Sequence, residues 1–307
     1  MSRINLDEYE ETESFGARGQ LTAHRRTGNS GKKNVPGNPR HDTDADEAKP
    51  ANEDCFAFFA IDGIIAGKER LLKPGKEASV YTCPGLPPKY PGIIAIKVYK
   101  NIDERSFKAL SQYLQGRLAE AGINRRDCLH ILSSSESVRN FWVESEYAML
   151  SRLRTAGLPV PAVYGRCASA IAMECVGGEN PAPRLRDAEI SPAARRAITD
   201  DVLHSVARLL ELDVVHGDLS PYNVLVDAGK PVIIDFPQAI DARYNREARR
   251  FLERDIRNML VWRNRATGQT GFRGTTTDPD DAATREAREI ASELWRGYER
   301  RSCLIQA

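Results

Sequence analysis

The sequence lacks a C-x-x-C pair, an apolar run of membrane-spanning length and any excess of charge of one sign. Its six cysteines, Cys55, Cys83, Cys128, Cys167, Cys175 and Cys303, are scattered along 307 residues. That argues against a zinc cluster and against a disulfide framework, and for a reducing compartment. No stretch approaches the roughly 20 apolar residues that cross a bilayer. Met1-Ser2-Arg3-Ile4-Asn5 turns polar at once, without the apolar core of a secretory signal. A cytoplasmic location with no membrane partner is therefore expected. The formal net charge of +1 removes any global pull towards nucleic acid or anionic lipid. Residues 1–50 hold hardly a large apolar side chain, so a disordered polar tail is expected there, with the folded domain over 51–307.

Within that domain the pattern moves from strands to helices. Cys55–Ala60 reads as either a short strand or a short helix. Ala78–Thr82 and Ile93–Tyr99 read as an antiparallel hairpin, preceded by the turn at Pro74-Gly75-Lys76-Glu77. The charged stretch 101–138 reads as part helix, part loop. A helix is expected over 139–156, stopped by Gly157 and Pro159, with Trp142, Glu146, Met149, Leu150 and Leu153 on one face. Ala168–Val176 reads as a strand closed by Gly177-Gly178. A second helix begins at Ser191-Pro192, a serine cap with proline at the first helical position, and runs to Leu212. Strands Val224–Val226 and Pro231–Asp235 flank a turn, and two amphipathic helices, 245–263 and 280–301, complete the chain. This order is that of a two-lobed α+β protein.

One segment is the most informative: Val215-His216-Gly217-Asp218-Leu219-Ser220-Pro221-Tyr222-Asn223, followed by Val232-Ile233-Ile234-Asp235. A carboxylate and a carboxamide five residues apart, then an apolar strand ending in a second carboxylate, are the parts that phosphoryl transfer needs. One acid orients or deprotonates the acceptor, and the amide oxygen and second acid hold a divalent ion on the phosphates. His216 reads as a hydrogen-bonder that shapes the loop rather than as the base. Upstream, Lys97 interrupts the run Ile93-Ile94-Ala95-Ile96-Lys97-Val98. A buried ammonium needs anions, and Glu146 on the inward helix face supplies one, with nucleotide phosphates as the other. Gly75 with Lys76 and Ser79 reads as a reduced phosphate loop with a single glycine. The arginines from Arg243 to Arg257 alternate with acids and read as a solvated face.

Taken together, these motifs resemble the RIO family of atypical serine/threonine protein kinases, in its first-type, bacterial-like branch. The resemblance runs over about residues 68–262. It rests on Gly75-Lys76-Glu77-Ala78-Ser79-Val80-Tyr81, Ala95-Ile96-Lys97-Val98-Tyr99-Lys100, Trp142-Val143-Glu144-Ser145-Glu146-Tyr147, the His216–Asn223 loop, Ile234-Asp235-Phe236-Pro237-Gln238-Ala239 and Arg254-Asp255-Ile256-Arg257-Asn258. It implies a bilobal protein-kinase-like fold, with a small β-rich N-lobe over 51–176 and a reduced helical C-lobe over 177–307. It implies ATP with Mg²⁺, or Mn²⁺, as cofactors. Phosphate contacts would come from Lys76 and Ser79, phosphate anchoring from Lys97 with Glu146, and metal ligation from Asn223 and Asp235. Asp218 would be the catalytic acid/base. Adenine would lie against Met173, Glu174 and Val176. Only about ten residues separate Asp235 from the helix expected at Asn245, which leaves no room for an activation segment. No winged-helix or other nucleic-acid-binding domain is visible before the core.

Three activities fit these residues: a self-phosphorylating serine/threonine kinase acting on a protein substrate, an ATPase switch on a maturing ribosomal particle, and a small-molecule phosphotransferase. The kinase is the leading expectation. The short helical part between Gly177 and His216 counts against the third.

Overall fold

Ile93–Tyr99 is apolar at nearly every position, the pattern of a strand covered on both faces. In the computed structural model, which describes residues 52–100, 126, 133–265 and 279–306, this strand is the centre of a five-stranded antiparallel sheet. Its members are β1 (Arg70–Lys73), β2 (Ala78–Pro84), β3 (Ile93–Tyr99), β4 (Val163–Arg166) and β5 (Ala170–Glu174), in the order β1-β2-β3-β5-β4. Because side chains alternate along a strand, β3 is sorted into two sets. Ile94, Ile96 and Val98 pack with Cys55 and Phe59 of α1 (Asn52–Ile61). Tyr99 lies on the other face with Trp142 and Val143 of α2 (Ser135–Thr155). Lys97 belongs to that second set, so strand alternation alone turns its ammonium towards α2.

The second lobe is helical. α3 (Pro192–Glu211), α4 (Ala248–Arg265) and α5 (Pro279–Gln306) enclose a core in which Ile198, Val202, Val206 and Leu209 of α3 meet Leu252, Ile256 and Met259 of α4. Ala283, Ala287 and Ala291 of α5 recur every four residues and are all but fully buried, so α5 presents a stripe of small side chains to this core. Two short ribbons carry the loops of interest: β6 (Val214–Val215) pairs with β9 (Ile240–Asp241), and β7 (Val224–Asp227) pairs with β8 (Lys230–Ile233). Leu219, Val224, Ile233 and Phe236 are buried in the helical core. The two motif segments are therefore anchored by apolar side chains immediately beside their polar ones.

The α+β, two-lobed, protein-kinase-like architecture expected from the sequence is the one observed. Ser191 caps α3, its side chain accepting from the Ala194 N–H at 3.3 Å. α2 begins four residues earlier than its apolar pattern suggests because Ser134 caps it, accepting from the Ser137 N–H at 3.1 Å. These serines, which look like a linker in sequence, start the helix, and its polar first turn carries no apolar periodicity to show it. Strands β1 and β4 have no counterpart in the sequence reading; β1 is exposed along its length and offers no alternation to read. The tail 1–50, most of 101–132 and the linker 266–278 lie outside the described residues. Among the described residues no helix is long and apolar enough to cross a membrane.

The α5 stripe gives a direct test. Ala287→Leu adds three carbons to a position with no exposed surface and should lower stability by about 1–3 kcal/mol. A drop in the urea midpoint with an unchanged m-value would be the expected result, and an unchanged midpoint would show that the helices are not close-packed there.

Candidate active site

Lys97 Nζ donates to both carboxylate oxygens of Glu146 and to Asp235 Oδ1, each at 2.8 Å. Three elements therefore converge on one ammonium: β3 provides it, α2 brings Glu146 from above, and the chain leaving β8 brings Asp235 from the second lobe. Glu146 is 2% exposed, whereas Asp235 keeps 42% of its side chain open. Burial works against the charge on Lys97, but Asp235 and Glu146 outweigh it and hold its pKa above the usual lysine range. Burial pushes the Glu146 carboxyl up and Lys97 draws it back; its two short bonds to the ammonium fit the ionised pair. Lys97 pulls the Asp235 carboxyl below its usual value against the effect of burial. The pairing of Lys97 with Glu146 is legible in the sequence. Its bond to Asp235 is not, because nothing in the spacing says that β8 ends opposite β3.

Asp235 has φ +71, a left-handed backbone that non-glycine residues rarely adopt. The turn redirects the chain after β8, and Phe236, the next residue, is buried with its N–H directed at Glu146 Oε1, 3.4 Å away. Across the cleft, Asn223 donates through Nδ2 to the Asp218 carbonyl (2.9 Å) and to Asp218 Oδ2 (3.0 Å). Asn223 is buried while Asp218 is exposed to the cleft. The backbone bond from Ile234 N–H to the Asn223 carbonyl, 3.0 Å, sets Asn223 next to the residue preceding Asp235. The side chains of Asn223 and Asp235 offer hard oxygen donors, which suit a cation of the Mg²⁺ class that completes its shell with water and phosphate oxygens. Among the described residues no group of three or more His, Cys, Asp or Glu is arranged to hold a metal alone.

The loop 216–219 is held from behind by α4. Asp255, 1% exposed, accepts from the Gly217 N–H (2.8 Å) and the Leu219 N–H (3.0 Å). Asn258 donates to the Leu219 carbonyl at 3.0 Å, and Arg254 donates to the Gly217 carbonyl. Gly217 has φ +77, and a Cβ there would stand 2.4 Å from the Gln238 carbonyl oxygen, so no other residue fits. His216 is 2% exposed and its Nε2 lies 3.1 Å from the Ile234 carbonyl, joining the two motif segments. The sequence motifs give Asp255 and Asn258 no role of their own. A signal exists for Asp255, which lies on the apolar face of its helix with Leu252, Ile256 and Met259, just as Glu146 does on α2. Arg254 reads in sequence as part of a solvated helix face; its bond to Gly217 places it partly in the interior instead.

The remaining candidates are spread along the cleft. The Pro74–Glu77 loop carrying Lys76 is tied to the end of β3, where Lys100 Nζ donates to the Gly75 carbonyl (2.6 Å) and Lys100 N–H to the Glu77 carbonyl (2.8 Å). Ser79 pairs with Val98, whose side chain belongs to the α1 face. Its hydroxyl is therefore on the side of the sheet away from Lys97. Glu77, not marked by any sequence motif role, has its carboxyl raised by burial and by Asp235, with Lys97 opposing and Asp218 adding, so it lies within electrical reach of the cleft acids. Met173 and Glu174 continue β5 opposite Ala95 and Ile94. The Glu174 N–H donates to the Ala162 carbonyl and the Val176 carbonyl accepts from the Ala182 N–H, both at 2.8 Å.

The RIO domain family matches residues 79–273 of this chain, a span that runs from the second residue of β2 to beyond the end of α4. The chain is 32% identical over 190 residues to the RIO-type serine/threonine-protein kinase Rio1 of Thermoplasma acidophilum, covering 61% of this chain and 89% of that protein. It is 30% identical over 225 residues to the Rio1 kinase of Haloferax volcanii, covering 70% and 72%. With the serine/threonine-protein kinase RIO3 of Caenorhabditis elegans it shares 30% identity over 212 residues, 67% of this chain and 37% of that one.

Two buried titratable groups under the loop act in opposite senses. Burial lifts the Asp255 carboxyl to about 7, against the pull of its two N–H donors. The folded state therefore holds a proton that the unfolded chain releases near pH 4, and this group's contribution to stability falls as pH rises from about 4 to about 7. Burial depresses His216 to about 4, so its contribution falls as pH drops from about 6.5 towards 4. The two largely cancel in the wild type. Asp255→Asn removes one side, and its stability should drop by about 2 kcal/mol more than that of the wild type between pH 7 and pH 5. Parallel urea titrations at the two pH values measure this; equal changes in both proteins would refute it.

Proposed function

The chain belongs to the RIO family of serine/threonine protein kinases, and on that premise we propose that its cleft moves the γ-phosphoryl group of ATP to a serine or threonine hydroxyl, including its own. As a member of that family it is an ATP-using phosphotransferase that works with a divalent ion and a protein substrate. The finer assignments are ours. Asp218 orients the acceptor hydroxyl and takes its proton as the oxygen–phosphorus bond forms and ADP leaves. Lys97, positioned by Glu146, anchors the phosphates. Lys76 and the backbone around Ser79 close over them; the strand register argues for the Ser79 main chain rather than its hydroxyl. Met173, Glu174 and Val176 line the adenine end. Asn223 and Asp235 would hold Mg²⁺, or Mn²⁺, which supplies positive charge to the phosphate oxygens.

The observation that carries this reading is the paired arrangement of Lys97 with Glu146 and Asp235 on one side and Asp218 with Asn223 on the other. A buried ammonium needs anionic company, but it does not need a second acid–amide pair on an adjoining glycine turn. We assign residues 51–307 to one kinase domain and the activity to the cytoplasm. An ATPase switch on a ribosomal particle is the second reading. It is favoured by the short link from Asp235 to Ala248, only twelve residues that include β9, too few for a separate peptide platform.

One labelled-ATP assay separates them, with phosphate release and protein labelling measured together. Asp218→Ala should lower protein labelling about 100- to 10,000-fold, and Asp235→Ala should abolish it, with both proteins still folded by circular dichroism. Undiminished labelling in either variant would overturn the role assigned to that residue. Rapid phosphate release with negligible labelling of protein would favour the switch.

A further inference from the structure

The edge of the catalytic loop carries cations outside the Lys97 cluster. The segment Pro183–Ala188 is laid along this loop by backbone bonds: Leu185 N–H to the Val224 carbonyl at 2.8 Å, Arg186 N–H to the Pro221 carbonyl at 3.0 Å, and Val226 N–H to the Pro183 carbonyl at 3.0 Å. Arg184 forms a β-bridge with Leu225. Arg186 is thereby fixed against Tyr222, with its guanidinium 4.4 Å from the ring centre and a hydrogen bond to the phenol oxygen. Tyr222 is 45% exposed and stands between Pro221 and Asn223, four residues after Asp218. The stacked pair thus flanks the place from which an acceptor reaches Asp218.

Lys73, the last residue of β1 in the other lobe, lies within electrostatic reach of Arg184, Arg186 and Asp187. Burial, then the charge of Arg184, hold its ammonium below the usual lysine range; Asp187 opposes this and Arg186 adds to it. Asp187 is the acid whose charge bears on Lys73 beside the two arginines. Like charges gathered at a rim raise each other's energy, and an anionic partner lowers it. The nucleotide phosphates are served further in, at Lys97. A long nucleic acid is a poor fit to three cations on a chain of net charge +1.

We propose that Lys73, Arg184 and Arg186 select acceptor peptides whose serine or threonine is flanked by acidic residues. This rests on the protein-kinase reading above. In the transfer, the acceptor oxygen bonds to the γ-phosphorus, the bond from that phosphorus to the departing ADP oxygen breaks, and the hydroxyl proton passes to Asp218. The acidic flanks stay outside, on the three cations.

The test uses the full-length protein and two synthetic peptides. One has the sequence of residues 7–16, with Thr12 and Ser14 among five acidic residues; the other has its Asp and Glu replaced by Asn and Gln. The wild type should phosphorylate the acidic peptide with a kcat/KM on the order of tenfold higher, and the advantage should shrink with added salt. Lys73→Glu and Arg186→Glu, both at exposed positions, should erase the advantage while leaving the KM for ATP unchanged. Equal kcat/KM for the two peptides overturns the inference and leaves the kinase reading intact. A raised KM for ATP with the peptide preference preserved also overturns it, because the cluster would then serve the nucleotide. ATP turnover without labelling of either peptide or of the protein itself sinks both readings together, and self-labelling without labelling of either peptide overturns the inference alone.

Discussion

The site depends on one ammonium. Lys97 is carried on the central strand of a sheet covered on both faces, where an unpaired charge would cost several kcal/mol. Its position is tolerable because α2 and the end of β8 each bring a carboxylate to 2.8 Å. Those carboxylates come from different lobes, so the same contact that satisfies the charge also fixes the distance between sheet and catalytic loop. A methionine of similar length could fill the space in β3 and pack as well. It would leave Glu146 buried without a counter-charge, and it would remove the direct bond that ties Asp235 to the upper lobe. A buried ion pair is weak evidence for stability but good evidence for registry. The joining of two lobes at one point is such a use.

The second constraint is the loop 216–219, whose backbone is almost fully engaged from behind. Asp255 takes two N–H groups, Asn258 and Arg254 give to two carbonyls, and Leu219 is fully buried in the helical core. With its backbone held and Gly217 in a left-handed turn, the side chain of Asp218 has little choice but to face outwards. Rigidity at this point is what general-base chemistry needs, since a base must lie within hydrogen-bond reach of the proton it takes. α4 is therefore part of the positioning apparatus, holding the backbone of the loop that carries Asp218.

Much of this is legible in the sequence, and the limits have physical reasons. Glu146 and Lys97 announce themselves because each places a charge where periodicity demands an apolar residue. α3 is readable to within a residue because cap, proline and stripe agree. Contacts between distant segments are not readable: the Lys97–Asp235 bond spans 138 positions, and only topology brings them together. Ser79 shows the finer limit. A glycine-containing turn suggests phosphate binding by nearby hydroxyls, but the face on which a strand residue points depends on its pairing register, and Ser79 is set opposite Val98. The extent of α2 is hidden for a related reason, since a serine cap and a linker serine look alike until a helix follows.

The distribution of charge across the cleft explains why floor and rim would sort their ligands. Around the reacting centre one ammonium, Lys97, faces the carboxylates of Glu146, Asp235, Asp218 and Glu77. That floor is hostile to a bare anion: the Glu77 carboxyl, raised first by burial, is raised further by Asp235 and Asp218. An acidic acceptor peptide could not lie along it. The loop edge carries the opposite sign, with Arg184 and Arg186 laid along it and Lys73 within their electrostatic reach. A peptide with acids on either side of a hydroxyl can then satisfy both only in one way, by leaving its charges at the rim and extending the neutral hydroxyl inwards to Asp218. In a chain with so short a link between Asp235 and α4, this division of charge replaces a peptide-binding platform: the acceptor is oriented by where its charges cannot go.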